Sequence, residues 1–238
     1  MILRTILFLT LLFLAVFAET SFTFAATSKN QFNIYVSGLK VGELDYTVNQ
    51  TGSRYSIKAI MKSTGVVSIF AKYLFDGRAV GSLKNGRYFP QQYSENSDTG
   101  KRKSNKEMTY EKGMPQIIKG EKRKSYWLAP ASQNDTVDPM TAIHALLSDQ
   151  SSKTPCKQNM VVYDGARRFS IKLLSSTINN QNMSCKGIFT RIGGYSKKEW
   201  AQGTQFPFEL KYVALGNIFR LERFIMTTLR GRASFVRR

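Results

Sequence analysis

Apolar and polar residues alternate with a period of two along much of the chain, and this pattern restricts the fold more than any other feature. Phe32, Ile34 and Val36 would lie on one face of a strand, with Asn33 and Tyr35 on the other. The alternation returns in four further segments, residues 44–48, 55–61, 169–173 and 206–214. Successive side chains of a strand point to opposite faces, so the pattern indicates half-buried antiparallel strands. We therefore predict a mainly all-β protein.

Two stretches depart from this alternation. Residues 66–75 are apolar without a clear period, so the sequence allows either a short buried helix or a strand that is covered on both faces. Asp138 and Pro139 suit the N-cap and the first position of a helix. Met140 and Leu147 follow at helical spacing, so we predict one short α-helix that packs against the sheet.

The N-terminal segment, residues 1–26, has the composition of a secretory signal peptide. Arg4 precedes an apolar run that is too short for a comfortable membrane span, and small residues follow that run. Cleavage at a site between residues 18 and 26 fits the pattern, and an uncleaved N-terminal anchor is the alternative. We expect export to the periplasm, and a soluble single domain over residues 27–238 without a transmembrane segment.

The chain carries a formal net charge of +19, which removal of the predicted signal peptide leaves unchanged. Such a charge attracts polyanions, and for an exported protein these are lipid headgroups and envelope polymers rather than nucleic acid. The lysine-rich residues 101–124 are either a pair of solvated edge strands or a surface for anions. The candidate contacts for an anionic surface are Lys101, Arg102, Lys103, Lys122, Arg123 and Lys124.

The two cysteines, Cys156 and Cys185, predict a disulfide, because an exported chain with an even cysteine count commonly pairs them. A redox pair would usually be two residues apart, and two cysteines with one histidine cannot supply a usual zinc site. His144, the only histidine, is interpreted as a packing residue. The sequence has no nucleophile elbow, so we predict no catalytic residues, no metal, no cofactor and no enzymatic activity.

Several short motifs, taken in order, resemble the DUF 3108 family of exported bacterial proteins of unassigned function. They lie at residues 34–42, 63–70, 138–142, 162–165 and 185–195. The resemblance implies an antiparallel sheet curled into an open or spiral β-barrel, broadly similar to periplasmic lipoprotein carriers and envelope-stress sensors. It implies no particular ligand.

A curled sheet with aromatic inner faces can enclose an acyl chain, and cationic rims can contact its anionic head. We therefore predict a non-enzymatic periplasmic binding protein for a lipid, a lipoprotein or another anionic amphiphile. The alternative is an envelope-integrity scaffold or protein-interaction module, whose barrel is filled by its own side chains. The expected partners are anionic lipid, an envelope polymer or an envelope protein. We also expect peripheral contact with a membrane, and we do not expect nucleic acid as a partner.

Overall fold

The fold is described from a computed structural model, for residues 25–65, 67–153, 155–228 and 231–238. The predicted signal peptide lies outside these residues, except for its last two, which begin the first strand. The strands are β1 (Ala25–Val36), β2 (Leu39–Thr51), β3 (Arg54–Ser63), β4 (Leu74–Lys84), β5 (Arg87–Asp98), β6 (Lys103–Glu111), β7 (Met114–Lys119), β8 (Gln150–Ser151), β9 (Asn159–Tyr163), β10 (Arg168–Asn179), β11 (Asn182–Gly193), β12 (Gln205–Leu215), β13 (Ile218–Thr228) and β14 (Gly231–Arg237). The helices are α1 (Val67–Phe70), α2 (Pro139–Leu147) and α3 (Lys197–Trp200), with a 3-10 turn at Pro130–Ser132.

The strands form one antiparallel sheet in the order β7-β6-β5-β4-β3-β2-β1-β14-β13-β12-β11-β10-β9, and β8 pairs with β13. Most neighbours in this order are consecutive in sequence, which is the meander that the alternating segments and turns predict. The exception joins the first and last strands, where Phe32 is opposite Arg237 and Ile34 is opposite Phe235. The sheet curls but does not close, which leaves β7 and β9 as its two edges. The predicted fold class, an open antiparallel barrel, is confirmed.

The chain between the two edges partly covers the open side of the sheet. The 3-10 turn contacts β7. Val137 forms a parallel bridge to β9, in which its N–H donates to the Val161 carbonyl (2.9 Å) and its carbonyl accepts from the Tyr163 N–H (3.0 Å). An exposed strand edge is a site of unwanted pairing, so this segment protects β9.

Helix α2 fills the middle of the curled sheet. It packs against β3, β4, β5 and β9, and the Met140 side chain is fully buried there. Asp138 is the N-cap residue that the sequence predicts: one carboxylate oxygen accepts from the Thr141 N–H at 2.9 Å, and the other accepts from the Thr141 hydroxyl at 2.6 Å. The Tyr55 hydroxyl on β3 lies 2.9 Å from the Thr141 hydroxyl, so a buried polar network ties the helix start to the sheet.

The prediction for the apolar residues 66–75 requires a correction over residues 67–75, since residue 66 lies outside the part of the chain that the structure describes. Residues Val67–Phe70 form the short helix α1, but this helix is not buried: Ile69 is 77% exposed and Phe70 is 83% exposed. The apolar content of the stretch suggested burial, but these side chains project from the end of the sheet instead. The four-residue helix α3 was not predicted, because it depends on a local capping box between Ser196 and Glu199 rather than on an apolar stripe.

Cys156 and Cys185 lie at disulfide distance, with Cα atoms 5.6 Å apart. Cys185 is on β11 and is fully buried, whereas Cys156 lies in the connection between β8 and β9. The bridge therefore fastens an irregular connection to the sheet, as the cysteine count predicts.

Candidate functional site

The structure brings the two basic triplets of the sequence together. Lys101, Arg102 and Lys103 lie in and after the turn between β5 and β6, and residues 122–124 follow β7. The Arg102 guanidinium makes a two-pronged ion pair with Glu121, with Nε 3.1 Å from Oε1. This contact holds the second triplet beside the first, although they are separated by most of two strands.

A cleft of about 540 Å³ opens where the triplets meet. One wall comes from β5, β6 and β7, and the other from the turn between β9 and β10. The first residue of α2, Pro139, contributes to its lining. Its apolar lining includes Ile117, Trp127, Leu128 and Phe169, and its charged lining consists of Glu95, Arg102, Lys106, Glu121, Arg123, Asp164 and Arg167.

The charges inside the cleft nearly balance, because most of them are paired. Lys106 lies 3.3 Å from Glu95, and its ammonium also donates to the Asp164 carbonyl across the open side of the sheet. Arg167 lies 2.8 Å from Glu199 and 3.5 Å from Asp164. Four cations and three carboxylates line the cleft, so its lining carries a net charge of +1.

The turn that forms the second wall is rigid for local reasons. The Asp164 carboxylate accepts from the backbone N–H groups of Ala166 (2.9 Å) and Arg167 (2.7 Å), as in an Asx turn. Gly165 has a φ of +89°, and a Cβ there would lie 2.9 Å from the Lys106 side chain. Gly194 faces the same turn closely: a Cβ on it would lie 2.2 Å from the Ala166 carbonyl oxygen. The sequence Asp-Gly predicted a turn here but not its part in a cleft.

The excess positive charge lies outside the cleft, on a surface that we call the basic rim (Lys101, Lys103, Lys122 and Lys124). These four lysines are exposed and flank Arg102 or Arg123, which line the cleft. Lys103 is 85% exposed and its ammonium is 3.9 Å from Asp98. Within the described residues the other three form no ion pair. The rim is therefore free to meet an anion.

Two aromatic residues join the rim to the cleft. The Lys124 ammonium lies 5.9 Å from the Tyr126 ring centre and 5.7 Å from the Trp127 ring centre. Trp127 is half-buried and lines the cleft. The Arg123 guanidinium donates to the Trp127 carbonyl (2.9 Å), which fixes this segment against the mouth. The Lys124 ammonium and the two aromatic rings therefore lie next to each other at the boundary between the apolar lining and the rim.

All six predicted anion contacts thus lie at one place, two lining the cleft and four on the rim. The sequence did not predict the opposite wall, which comes from the turn at residues 164–167. It also did not predict Glu95, and it placed Lys106 in the basic segment but not among the candidate contacts. The alternating charge of β5 and β6 gave no sign of a cleft, because the contact between Lys106 and the Asp164 carbonyl joins residues that are far apart in sequence.

The described residues contain no arrangement that indicates catalysis. Hydrogen bonding by Arg102 lowers the pKa of Glu121, so this carboxyl in the cleft is ionised at neutral pH. His144 is half-buried between the rings of Tyr46 and Tyr88, outside the cleft lining, and burial lowers its pKa to about 4. The Ser148 hydroxyl near its Nδ1 donates to the His144 carbonyl (2.6 Å), as a helix cap does. This environment matches the predicted packing role.

Among the described residues, no group of three or more His, Cys, Asp and Glu side chains is placed to hold a metal ion. None of the helices described is both long enough and apolar enough to cross a membrane.

Comparison with known proteins assigns a family. No curated protein matches the chain. A solved structure, the beta-barrel-like protein of the domain of unknown function DUF1849 from Brucella abortus, is similar with 9% identity and a TM-score of 0.45, over 90% of this chain and 94% of that one. The family described as Protein of unknown function (DUF3108) matches residues 31–185, which include every residue that lines the cleft. Because the match spans more than half of the 238 residues, the chain belongs to the DUF3108 family.

Proposed function

We propose that this protein is a non-enzymatic binding protein of the cell envelope, which holds an anionic amphiphile in the cleft. The apolar part of the ligand lies against Ile117, Trp127, Leu128 and Phe169, and its anionic group contacts the basic rim. The observation that carries the proposal is the separation of charge: most charges that line the cleft are paired, whereas three of the four rim lysines form no ion pair within the described residues.

The size of the cleft fits this role. Its volume of about 540 Å³ lies within the roughly 300–1,000 Å³ that is typical of small-molecule sites. In partly buried ion pairs such as Lys106–Glu95, each charge is already neutralised by its partner, so a ligand that enters need not neutralise it. The lining therefore selects for apolar shape, and the rim selects for negative charge at the end that stays in water.

The envelope is the compartment that fits the sequence best. The predicted signal peptide supports export, and the disulfide between Cys156 and Cys185 suits an oxidising environment. Anionic amphiphiles such as phospholipids are abundant there.

The test is native mass spectrometry of gently purified protein, followed by lipid extraction, with two neighbouring residues of β7 as a matched pair. Ile117 lines the cleft, whereas the adjacent Ile118 points to the other face of the strand and is 62% exposed. Ile117→Asp introduces a charge into the apolar lining and should abolish a bound acyl species that Ile118→Asp retains. A wild-type protein without an acyl ligand, or equal retention by both variants, would contradict the proposal.

One observation favours a second function, that of a scaffold. Helix α2 and tyrosines such as Tyr46 and Tyr55 fill the middle of the curled sheet, so this part of the interior is occupied by the protein itself. A scaffold should crosslink stoichiometrically to an envelope protein and should keep that partner in the Ile117→Asp variant.

A further inference from the structure

The end of the sheet that carries the cleft also carries an unusual apolar projection. Helix α1, in the connection between β3 and β4, exposes Ile69 and Phe70 almost completely, at 77% and 83%. Leu39, beside the turn between β1 and β2, is 62% exposed, and Leu74, at the start of β4, is 42% exposed. We call these four residues the apolar tip.

The apolar tip is held in place by bonds to its neighbours. The backbone N–H of Ser63 donates to the Tyr73 carbonyl (2.9 Å), which closes the connection at its base. The N–H of Thr64 donates to the Val41 carbonyl (3.2 Å), so α1 lies against β2. Both the N–H and the hydroxyl of Ser68, in α1, donate to the carbonyl of Gly65, which precedes the helix. Ile69 and Phe70 are thus presented on a closed, bonded loop.

The surroundings of the apolar tip carry an excess of basic residues. The nearby carboxylates are Glu43, opposite Lys62, and Asp98, opposite Leu74. Both have cationic partners of their own, which are Lys40 and Arg238 for Glu43 and Lys103 for Asp98. Lys62 and Lys72 flank α1 in sequence, and both are exposed and form no ion pair within the described residues. No aspartate or glutamate occurs between Asp45 and Asp76. Exposed aromatic and aliphatic side chains among unpaired lysines are the composition of surfaces that enter the interface of an anionic bilayer.

The apolar tip is continuous with the basic rim. A Cβ on Gly100, in the turn between β5 and β6, would lie 3.5 Å from the Lys72 carbonyl oxygen and 3.8 Å from its Cβ. The next residue along, Lys101, belongs to the rim, and Arg102 lines the cleft. One end of the sheet therefore presents, in order, the apolar tip, the lysines and the mouth of the cleft.

We infer that this end of the protein docks on an anionic lipid bilayer, with Ile69 and Phe70 inserted into the headgroup region and Lys62, Lys72 and Lys101 on lipid phosphates. The lysines of this protein surface favour an anionic membrane, because a bilayer without net charge would offer them no counter-charge. Docking in this orientation places the mouth of the cleft at the membrane. It goes beyond the proposed function, because it needs no ligand in the cleft.

The first experiment is flotation of the purified full chain with vesicles of phosphatidylcholine, alone or mixed with phosphatidylglycerol. Ile69→Ser with Phe70→Ser should weaken binding to the mixed vesicles by about tenfold or more, because the insertion of two large apolar side chains is lost. The matched control is Ile178→Ser with Leu215→Ser, which changes residues of 53% and 52% exposure at the other end of the sheet. The control should bind as the wild type does.

The second experiment tests the lysines. Lys72→Gln with Lys101→Gln should weaken binding to the mixed vesicles by about tenfold and should reduce its salt dependence. Lys84→Gln with Lys153→Gln removes the same charge elsewhere and should have a clearly smaller effect. All of these variants should keep the melting temperature of the wild type, since the changed side chains are exposed.

Three results would overturn the inference. They are failure of the wild type to float with mixed vesicles, equal binding to neutral vesicles, and equal loss in the Ile69/Phe70 variant and its control. In the first case the apolar tip would instead be a protein-contact surface. The Ile69/Phe70 variant also separates this inference from the proposed function, because both residues lie outside the cleft lining and the basic rim. It should lose flotation and keep the bound acyl species. If the wild type does not float but holds an acyl species, only docking is refuted; if it floats without an acyl species, only ligand binding is refuted.

Discussion

Asp138 and His144 lie near the two ends of helix α2. Each should make the free energy of unfolding depend on pH, and the two dependences should have opposite signs and largely cancel. Burial raises the pKa of Asp138 to about 6 from its ordinary 3.8. Burial also lowers the pKa of His144 to about 4 from its ordinary 6.5. Each pKa unit corresponds to about 1.36 kcal/mol, so each group changes the free energy of unfolding by about 3 kcal/mol across its range.

The signs follow from proton binding. Between pH 4 and 6 the folded state holds a proton on Asp138 that the unfolded state has lost, so the stability from this group falls as the pH rises. Over nearly the same interval the unfolded state holds a proton on His144 that the folded state lacks, so the stability from this group rises with pH. The two slopes cancel in the wild type, and removal of either group should expose the other.

The substitutions are conservative for the fold. Asp138→Asn keeps a good N-cap and an oxygen acceptor for the Thr141 N–H. His144→Gln keeps a neutral polar side chain near Ser148. Relative to wild type, the free energy of unfolding of the Asp138→Asn variant should fall by up to about 3 kcal/mol as the pH falls from 6 to 4. The free energy of unfolding of the His144→Gln variant should rise by up to about 3 kcal/mol, relative to wild type, over the same fall in pH.

The assay is urea unfolding at several pH values, followed by tyrosine and tryptophan fluorescence, with the stability of each variant compared with wild type at the same pH. This comparison removes the contribution of other carboxylates, such as Glu43 and Glu121, whose lowered pKa values affect all three proteins equally. If the stability difference between either variant and the wild type does not change with pH, the reasoning is refuted.

Three further predictions concern stability. Cys156→Ser with Cys185→Ser should lower the free energy of unfolding by about 3–4 kcal/mol, from a loop of 29 residues. A reductant should lower the free energy of unfolding of the wild type by a similar amount. An unchanged urea midpoint would contradict a stabilising disulfide. Gly194→Ala should cost about 1–3 kcal/mol because of its φ of +85° and its close contact, and clearly more than Gly216→Ala, which has open space around it. Met140→Ala should lower the thermal midpoint through a loss of about 2–5 kcal/mol, whereas a neutral result would mean that α2 is not packed inside the sheet.

Much of the fold could be predicted because its contacts are local in sequence. Alternation at Phe32, Ile34 and Val36 sets which face of β1 is buried, and turns such as Asp164-Gly165 separate neighbouring strands. The pairing of β1 with β14 could not be predicted, because the local sequence of a strand does not specify which distant strand pairs with it. The apolar residues 66–75 were ambiguous for a related reason: composition alone does not say whether a tertiary partner exists to cover them.

The candidate site was predictable only in part. The basic triplets were visible as charge runs, but the ion pair of Arg102 with Glu121 brings them together through two intervening strands. The second wall depends on Gly165 and Gly194, whose missing side chains allow close contacts that appear only in three dimensions. A sequence pattern can thus suggest a charged rim, but a cleft between the two edges of a curled sheet requires the topology.

The most direct test of amphiphile binding uses Trp127 as a reporter. The chain has two tryptophans, and Trp200→Phe leaves Trp127, in the cleft lining, as the only one. A spin-labelled fatty acid should quench its fluorescence saturably at an equimolar ratio, and the uncharged ester of the same acid should bind clearly more weakly. The Ile117→Asp change should abolish this quenching. Absence of saturable quenching, or equal binding of the acid and its ester, would contradict a cleft that binds an apolar chain beneath a basic rim.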